Sequence, residues 1–245
     1  MKKVFLTNLL LNFSLFLAAQ IQFGGAVQFA DFSNMNANLL NNNYPSIDDE
    51  ILSFSIISAK RKSDNNWVSR FGFIFNHYNT STPSFMTLPP ISQVNDVNLR
   101  TVGLISGTGY NFVNSKHITF GPSVDVLFVQ NKLRLVENLP SNLTFGNILA
   151  NDTQSEEFRN IKVLFEGSLN LLFHFSPKER KTQYGIGLTG GYRWDPFDPE
   201  WKYEQTDIKI DIEGSQQSGF MLGIMFTIKG PDLMTQKPNV KQERS

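Results

Sequence analysis

Few side chains in this sequence are of the types that do covalent chemistry, and their spacing decides little by itself. There is no cysteine and there are three histidines, which excludes thiol nucleophiles, thiolate metal centres and disulfides. His77 lies shortly before Thr80, Ser81 and Ser84. A Ser–His pair needs a hydroxyl within about 3 Å of the ring and a further group to orient the imidazole. Asp31 and Asp195 are the carboxylates that could come near it, although nothing in the spacing demands this. No His/Asp/Glu group has metal-ligand spacing, and no metal or cofactor is expected. More telling are Gln28, Arg70, Asp125, Lys162, Glu166, Asn170 and Arg193. Each lies on, or next to, the polar side of a segment whose other side is apolar. Charges gathered away from water must be paired. These residues therefore read as an internal ion-pair and hydrogen-bond network, with a narrow solute conduit as the alternative.

The elements that would hold them alternate with period two. In "SGFMLGIMFTIKG", Phe220, Leu222, Ile224, Phe226 and Ile228 fall on one face and Gly219, Met221, Gly223, Met225 and Thr227 on the other. Successive strand residues point to opposite sides, so the segment is a strand with one greasy face. The pattern recurs about eight times, in an order that alternates short turns with long connections. "ILSFSIISAK", "WVSRFGFIFNHYN", "HITFGPSVDVLFVQ" and "RNIKVLFEGSLNLLFHF" are clear cases. Pro122 removes one ladder donor and predicts a local irregularity. Residues 131–157 are expected to be the longest loop, with "KLRLV" able to extend its strand, and "DIKIDIE" is able to continue the seventh or eighth strand as a hairpin. "SNMNANLLNNNYPS" is expected to be a loop with a short helix ended near Pro45.

Zero formal net charge gives no reason to expect nucleic-acid binding. Lys2 and Lys3 followed by "VFLTNLLLNFSLFLAA" have the layout of a secretory signal peptide, assigned to residues 1–19. No later stretch has the unbroken apolar length of a membrane helix. Residues 231–245 are polar and are expected to be a disordered periplasmic tail, which leaves 20–230 for the strands.

With the strands laid out, the chain resembles the small eight-stranded outer-membrane β-barrels of Gram-negative bacteria, of OmpA/OmpX-like architecture. The Gln that follows "LAA" and the hairpin "GIGLTGGYRW" plus "SGFMLGIMFTI" resemble the variety common in Bacteroidota. Many such barrels finish on an aromatic residue, whereas here Phe226 is followed by a polar tail. The resemblance implies an all-β, antiparallel, up-and-down transmembrane barrel in the outer membrane. Its lipid-interface aromatics would be Trp67, Tyr110, Tyr184, Tyr192 and Trp194. The expected function is a non-enzymatic scaffold for extracellular loops in partner binding, adhesion or envelope integrity. The alternatives are a small-solute pore and an outer-leaflet hydrolase with His77 at the rim. Expected partners are outer-membrane lipid and lipopolysaccharide, and another envelope or surface protein. Apolar loop residues Leu39, Leu40, Phe85, Met86, Leu88, Leu143 and Phe145 are candidates for that contact.

Overall fold

The computed structural model describes residues 20–42, 44–61, 66–81, 94–138, 155–176, 182–197, 200–204, 208–211 and 216–230. The expected signal and tail segments, and the loop residues Phe85, Met86, Leu88, Leu143 and Phe145, lie outside them. In chain order the elements are β1 (Gln20–Ala30), α1 (Ser33–Asn41), β2 (Glu50–Arg61), β3 (Trp67–Ser81), β4 (Val94–Tyr110) and β5 (Val113–Asn114). They continue with β6 (Ile118–Asn138), β7 (Ser155–Phe175), β8 (Gln183–Trp194), β9 (Glu200–Tyr203), β10 (Lys209–Asp211) and β11 (Gly219–Lys229).

Eight long strands close into a ring in the order β1, β2, β3, β4, β6, β7, β8, β11, and β11 pairs back onto β1. Every pairing is antiparallel. Closure leaves no edge among these strands, so every backbone donor in the ladder can be satisfied without water, as lipid requires. From Leu171 on β7 the opposed residues run Leu188, Ile224, Gly25, Phe54, Phe75, Val102 and Gln130, and return to β7 at Ile161, ten residues away. That stagger over eight strands corresponds to a strand tilt of about 40°.

Along each strand the faces separate as the alternation predicts. Phe23, Phe29, Phe54, Phe73, Leu104, Phe128, Phe173, Leu188, Leu222 and Phe226 stand exposed on the outside. Exposed apolar side chains all round a closed ring with charged groups inside form the lipid belt of a transmembrane barrel. The strand ends that the short connections join, Arg61 with Trp67 and Phe175 with Gln183, lie at one end and mark the periplasmic side.

Three strands differ from the expected layout. β4, β6 and β7 have 17, 21 and 21 residues, well beyond the ~9–11 that a tilted span needs. They continue past the belt as a wall, so the two ends of the segment expected to be the longest loop, 131–138 and 155–157, are strand. β9 pairs with β10 and with Phe158 and Arg159 of β7, which adds a hairpin to that wall. Opposite Pro122 the ladder slips by one residue: Gly109 faces Ser123, whereas Val113 faces Phe120. The extra residue is a bulge placed where the proline has no N–H to offer.

Above the belt the apolar side of the wall turns inward. Ala30, Ile51, Val97, Leu99, Leu133, Phe158 and Trp201 form one buried cluster with Phe32, Met35, Leu39, Tyr44 and Ile47. α1 supplies Met35 and Leu39, four residues apart and on one helical face. Asn36 fastens it to the returning chain through both halves of its amide, donating to the Ile47 carbonyl at 2.8 Å and accepting the Ile47 N–H at 2.7 Å. At the helix start Asp31 Oδ1 accepts the Ser33 N–H at 2.9 Å.

Candidate functional site: a filled lumen beneath an apolar cap

The interior is layered. Beneath the cap lies a hydrogen-bond network that joins β1, β4, β6, β7 and β8 with the segment before β11. Arg193 donates through Nε and Nη2 to Glu166 Oε2 at 3.1 and 2.7 Å, and through Nη1 to Gln28 Oε1. Gln28 Nε2 donates to the Gln217 carbonyl at 2.6 Å. Asp195 Oδ2 receives Lys162 Nζ at 2.7 Å and the Gln217 N–H at 2.9 Å. Gln217 Nε2 and Thr101 Oγ1 donate to Asn131 Oδ1, and Asn131 donates onward to Asn160. Elsewhere in the lumen Arg70 Nε donates to Asp125 Oδ1 at 3.1 Å. Asn170 bridges Ser123 and Ser168 and accepts from Thr189.

All seven polar residues picked out from the sequence thus face inward. They divide into three groups: Gln28, Glu166, Arg193 and Lys162 in the upper network, Arg70 with Asp125, and Asn170 among hydroxyls. Sequence reasoning missed Asp195 as the counter-ion of Lys162, along with Gln217, Asn131, Asn160 and Thr101. A buried ammonium needs a carboxylate, but Asp195 lies just beyond β8 and carries no strand signature. A second omission is apolar. Ile57, Ile74, Ile105, Leu127, Val129 and Leu164 form a buried cluster inside the ring. Unbroken runs such as "VLFV" and "VLF" signal it, since both faces are then apolar.

Ser84 lies outside the described residues, and among those residues neither Asp31 nor Asp195 joins His77. His77 is exposed, opposite Arg100 and in phase with the outward Phe73 and Phe75. Asp195 is buried and held by Lys162, while Asp31 is exposed and engaged at α1. Of the loop leucines expected on a contact surface, Leu39 is instead buried in the cap, because α1 turns that face onto the wall, and Leu40 is 59% exposed. The five aromatics lie near strand ends on the outward side. Trp67 meets Tyr110 edge-on at 5.2 Å between ring centroids, and Tyr184 stacks with Phe175 at 6.1 Å. Tyr192 meets Phe220 at 5.1 Å and Trp194 meets Phe165 at 5.9 Å, at the other end of β8.

A closed ring with a lipid belt outside and paired charges inside is built to span an outer membrane. It is an outer-membrane β-barrel. No protein-family model matches the sequence, and no curated protein matches it. Among solved structures the barrel is similar to Ail, the attachment invasion locus protein of Yersinia pestis, in complex with the heparin analogue sucrose octasulfate. That pair shares 13% identity at a TM-score of 0.41, over 85% of this chain and 97% of the other. It is also similar to a major outer membrane protein of Thermus thermophilus, with 9% identity and a TM-score of 0.40 over 86% and 99% of the two chains. A second Ail structure shares 15% identity at a TM-score of 0.34, over 85% and 97%. Likeness this loose transfers no residue roles.

Proposed function

We propose that this barrel is a non-enzymatic scaffold whose work is done at its extracellular end, in partner binding, adhesion or envelope integrity. The observation that carries the reading is the filled interior. Trp201, Phe32 and Met35 are each 1% exposed in the cap, and beneath them Lys162 is bonded to Asp195 and Arg193 to Glu166 and Gln28, with Lys162, Asp195, Arg193 and Gln28 buried. A conduit would need these charges to be hydrated and movable, so the surfaces left for recognition are the outward wall and the loops. Leu40 and the loop residues Phe85, Met86, Leu88, Leu143 and Phe145 are the contact residues in this proposal. In the same reading the chain is a Bacteroidota-type, OmpA/OmpX-like barrel. Residues 1–19 are removed as a signal, and 231–245 remain as a periplasmic tail.

The test is photo-crosslinking on intact cells, with the crosslinker placed at Leu40, Phe85 or Leu143 and, as a lipid-facing control, at Leu222. A discrete adduct from the loop positions and none from Leu222 supports the reading. Absence of any adduct, together with single-channel conductance in planar bilayers that falls in Arg70→Gln, would replace it with the pore. Sequencing of the mature protein should begin at Gln20.

A further inference from the structure

The outward wall carries a row of basic side chains that takes no part in the lumen. Opposed residues of an antiparallel pair share a face. The register sets His77 against Arg100, Arg100 against Lys132, Lys132 against Arg159, Arg159 against Lys202, and Lys202 against Lys209. The next outward row toward the periplasm is Phe75, Val102, Gln130 and Ile161. The cations therefore begin where the lipid belt ends. Because the strands tilt, the row climbs by about 3 Å per strand. It rises from the membrane boundary at His77 to Lys209 well outside, across the depth where lipid head groups lie.

Carboxylates hold parts of this row. Lys132 bonds Glu157 and Glu204 at 2.6 and 2.8 Å, and Lys209 bonds Glu200 at 2.6 Å. Arg159, near enough to Glu204 to act on its charge, and Lys202, likewise near Glu200, continue the row and flank a cavity of about 640 Å³, with Ile161, Val163 and Phe197 among its apolar lining and Glu200 also lining it. Ile161 is 80% exposed and Phe197 56% exposed, outside the cap and above most of the belt.

The cavity joins two chemistries. A guanidinium and an ammonium suit a phosphate, the guanidinium by a two-pronged contact. The hydrocarbon floor suits an acyl chain, whose removal from water is favourable at Ile161 and Phe197. A soluble anion would leave that floor wet, and a neutral lipid would make no use of the cations. We propose that this face of β7 and β9 binds a phosphorylated lipid of the outer leaflet, with its phosphate on Arg159 and Lys202 and a chain along Ile161, Val163 and Phe197.

The test uses the full barrel in phosphatidylcholine nanodiscs, with diphosphoryl lipid A as the probe and native mass spectrometry to count retained lipid. Arg159→Gln combined with Lys202→Gln should lower lipid A affinity by roughly tenfold or more. Lys60→Gln, at the opposite rim, should leave it unchanged. Lys202→Gln alone lies on the short β9 and gives a smaller loss in the same direction should the double variant not fold, as judged on unheated gels. Ile161→Ser should weaken lipid A binding as well. The proposal is overturned if the double variant retains lipid A as the parent does, or if Lys60→Gln weakens it equally. It is likewise overturned if inorganic phosphate displaces the lipid, which marks a soluble-anion site, or if dephosphorylated lipid A binds equally well, which marks apolar adhesion alone.

Discussion

The Lys162–Asp195 pair gives the sharpest test of the filled lumen. Its side chains are 1% and 0% exposed, with Nζ 2.7 Å from Oδ2, and the same oxygen takes the Gln217 N–H at 2.9 Å. Asp195→Asn keeps the shape and an acceptor for that N–H but strands an ammonium away from water. Breaking one half of a buried pair costs about 3–5 kcal/mol. Lys162→Met strands the carboxylate and should cost about the same. Combining the two removes both charges, and apolar or neutral replacement of a whole buried pair is often close to neutral. The double variant should therefore be more stable than the sum of the singles by at least ~2 kcal/mol. Reversible urea titration in detergent micelles, read by the mobility difference between folded and unfolded forms on unheated gels, supplies the cycle. A loss under about 1 kcal/mol for Asp195→Asn, or strict additivity, would refute the view that this pair is buried and dry.

Other perturbations reach other layers. A Cβ at Gly107 would run into Asp125 Oδ1 and the Val124 carbonyl, so Gly107→Ala should displace Asp125 from Arg70 and cost about 1–3 kcal/mol in the same titration. Phe32→Ala with Met35→Ala empties the centre of the cap; amide exchange should rise across 31–49 while the folded-form gel mobility is retained, because the ring does not depend on α1. Bonds from Lys209 and Lys132 hold the Glu200 and Glu204 carboxyls below the usual carboxylate range. Their support is complete above that range and is lost as pH falls through the lowered values. Glu157 and Glu204 hold the Lys132 ammonium above its usual range, so its share is lost only as pH rises through that raised value. Acidification should therefore lower amide protection factors, which are corrected for the intrinsic rate at each pH, in β9 and leave those of the belt portion of β7 unchanged.

The parts of the fold legible in the sequence are those where one face is lipid. Period two at Phe220–Ile228 or Ile161–Phe175 is unmistakable because the outside is uniformly apolar. The extended wall was harder to read because its polarity inverts. On β4 the outward positions are the apolar Val102 and Leu104 in the belt and the basic Arg100 above it, where the apolar positions are the inward Val97 and Leu99. β6 makes the same switch between Phe128 and Leu133. A phase change of one residue marks the membrane boundary, but to a reader following a single face it looks like the end of a strand. The site was half legible for a similar reason. Charges set within strands announce themselves against greasy neighbours, whereas Asp195 and Gln217 lie outside strands and gain meaning only from the lysine and amide they meet.

The pairing of β1 with β11 has a consequence for how the molecule is made. Residues such as Gln20 and Lys229 become neighbours only after nearly all of the intervening chain has been synthesised. Until then every partly built sheet presents two unsatisfied edges, and in a bilayer those edges have no water to turn to. Contacts this distant in sequence make spontaneous folding slow and leave intermediates open to wrong partners. The two edges vanish together when β11 meets β1, so the last strand to be made is the one that seals the barrel.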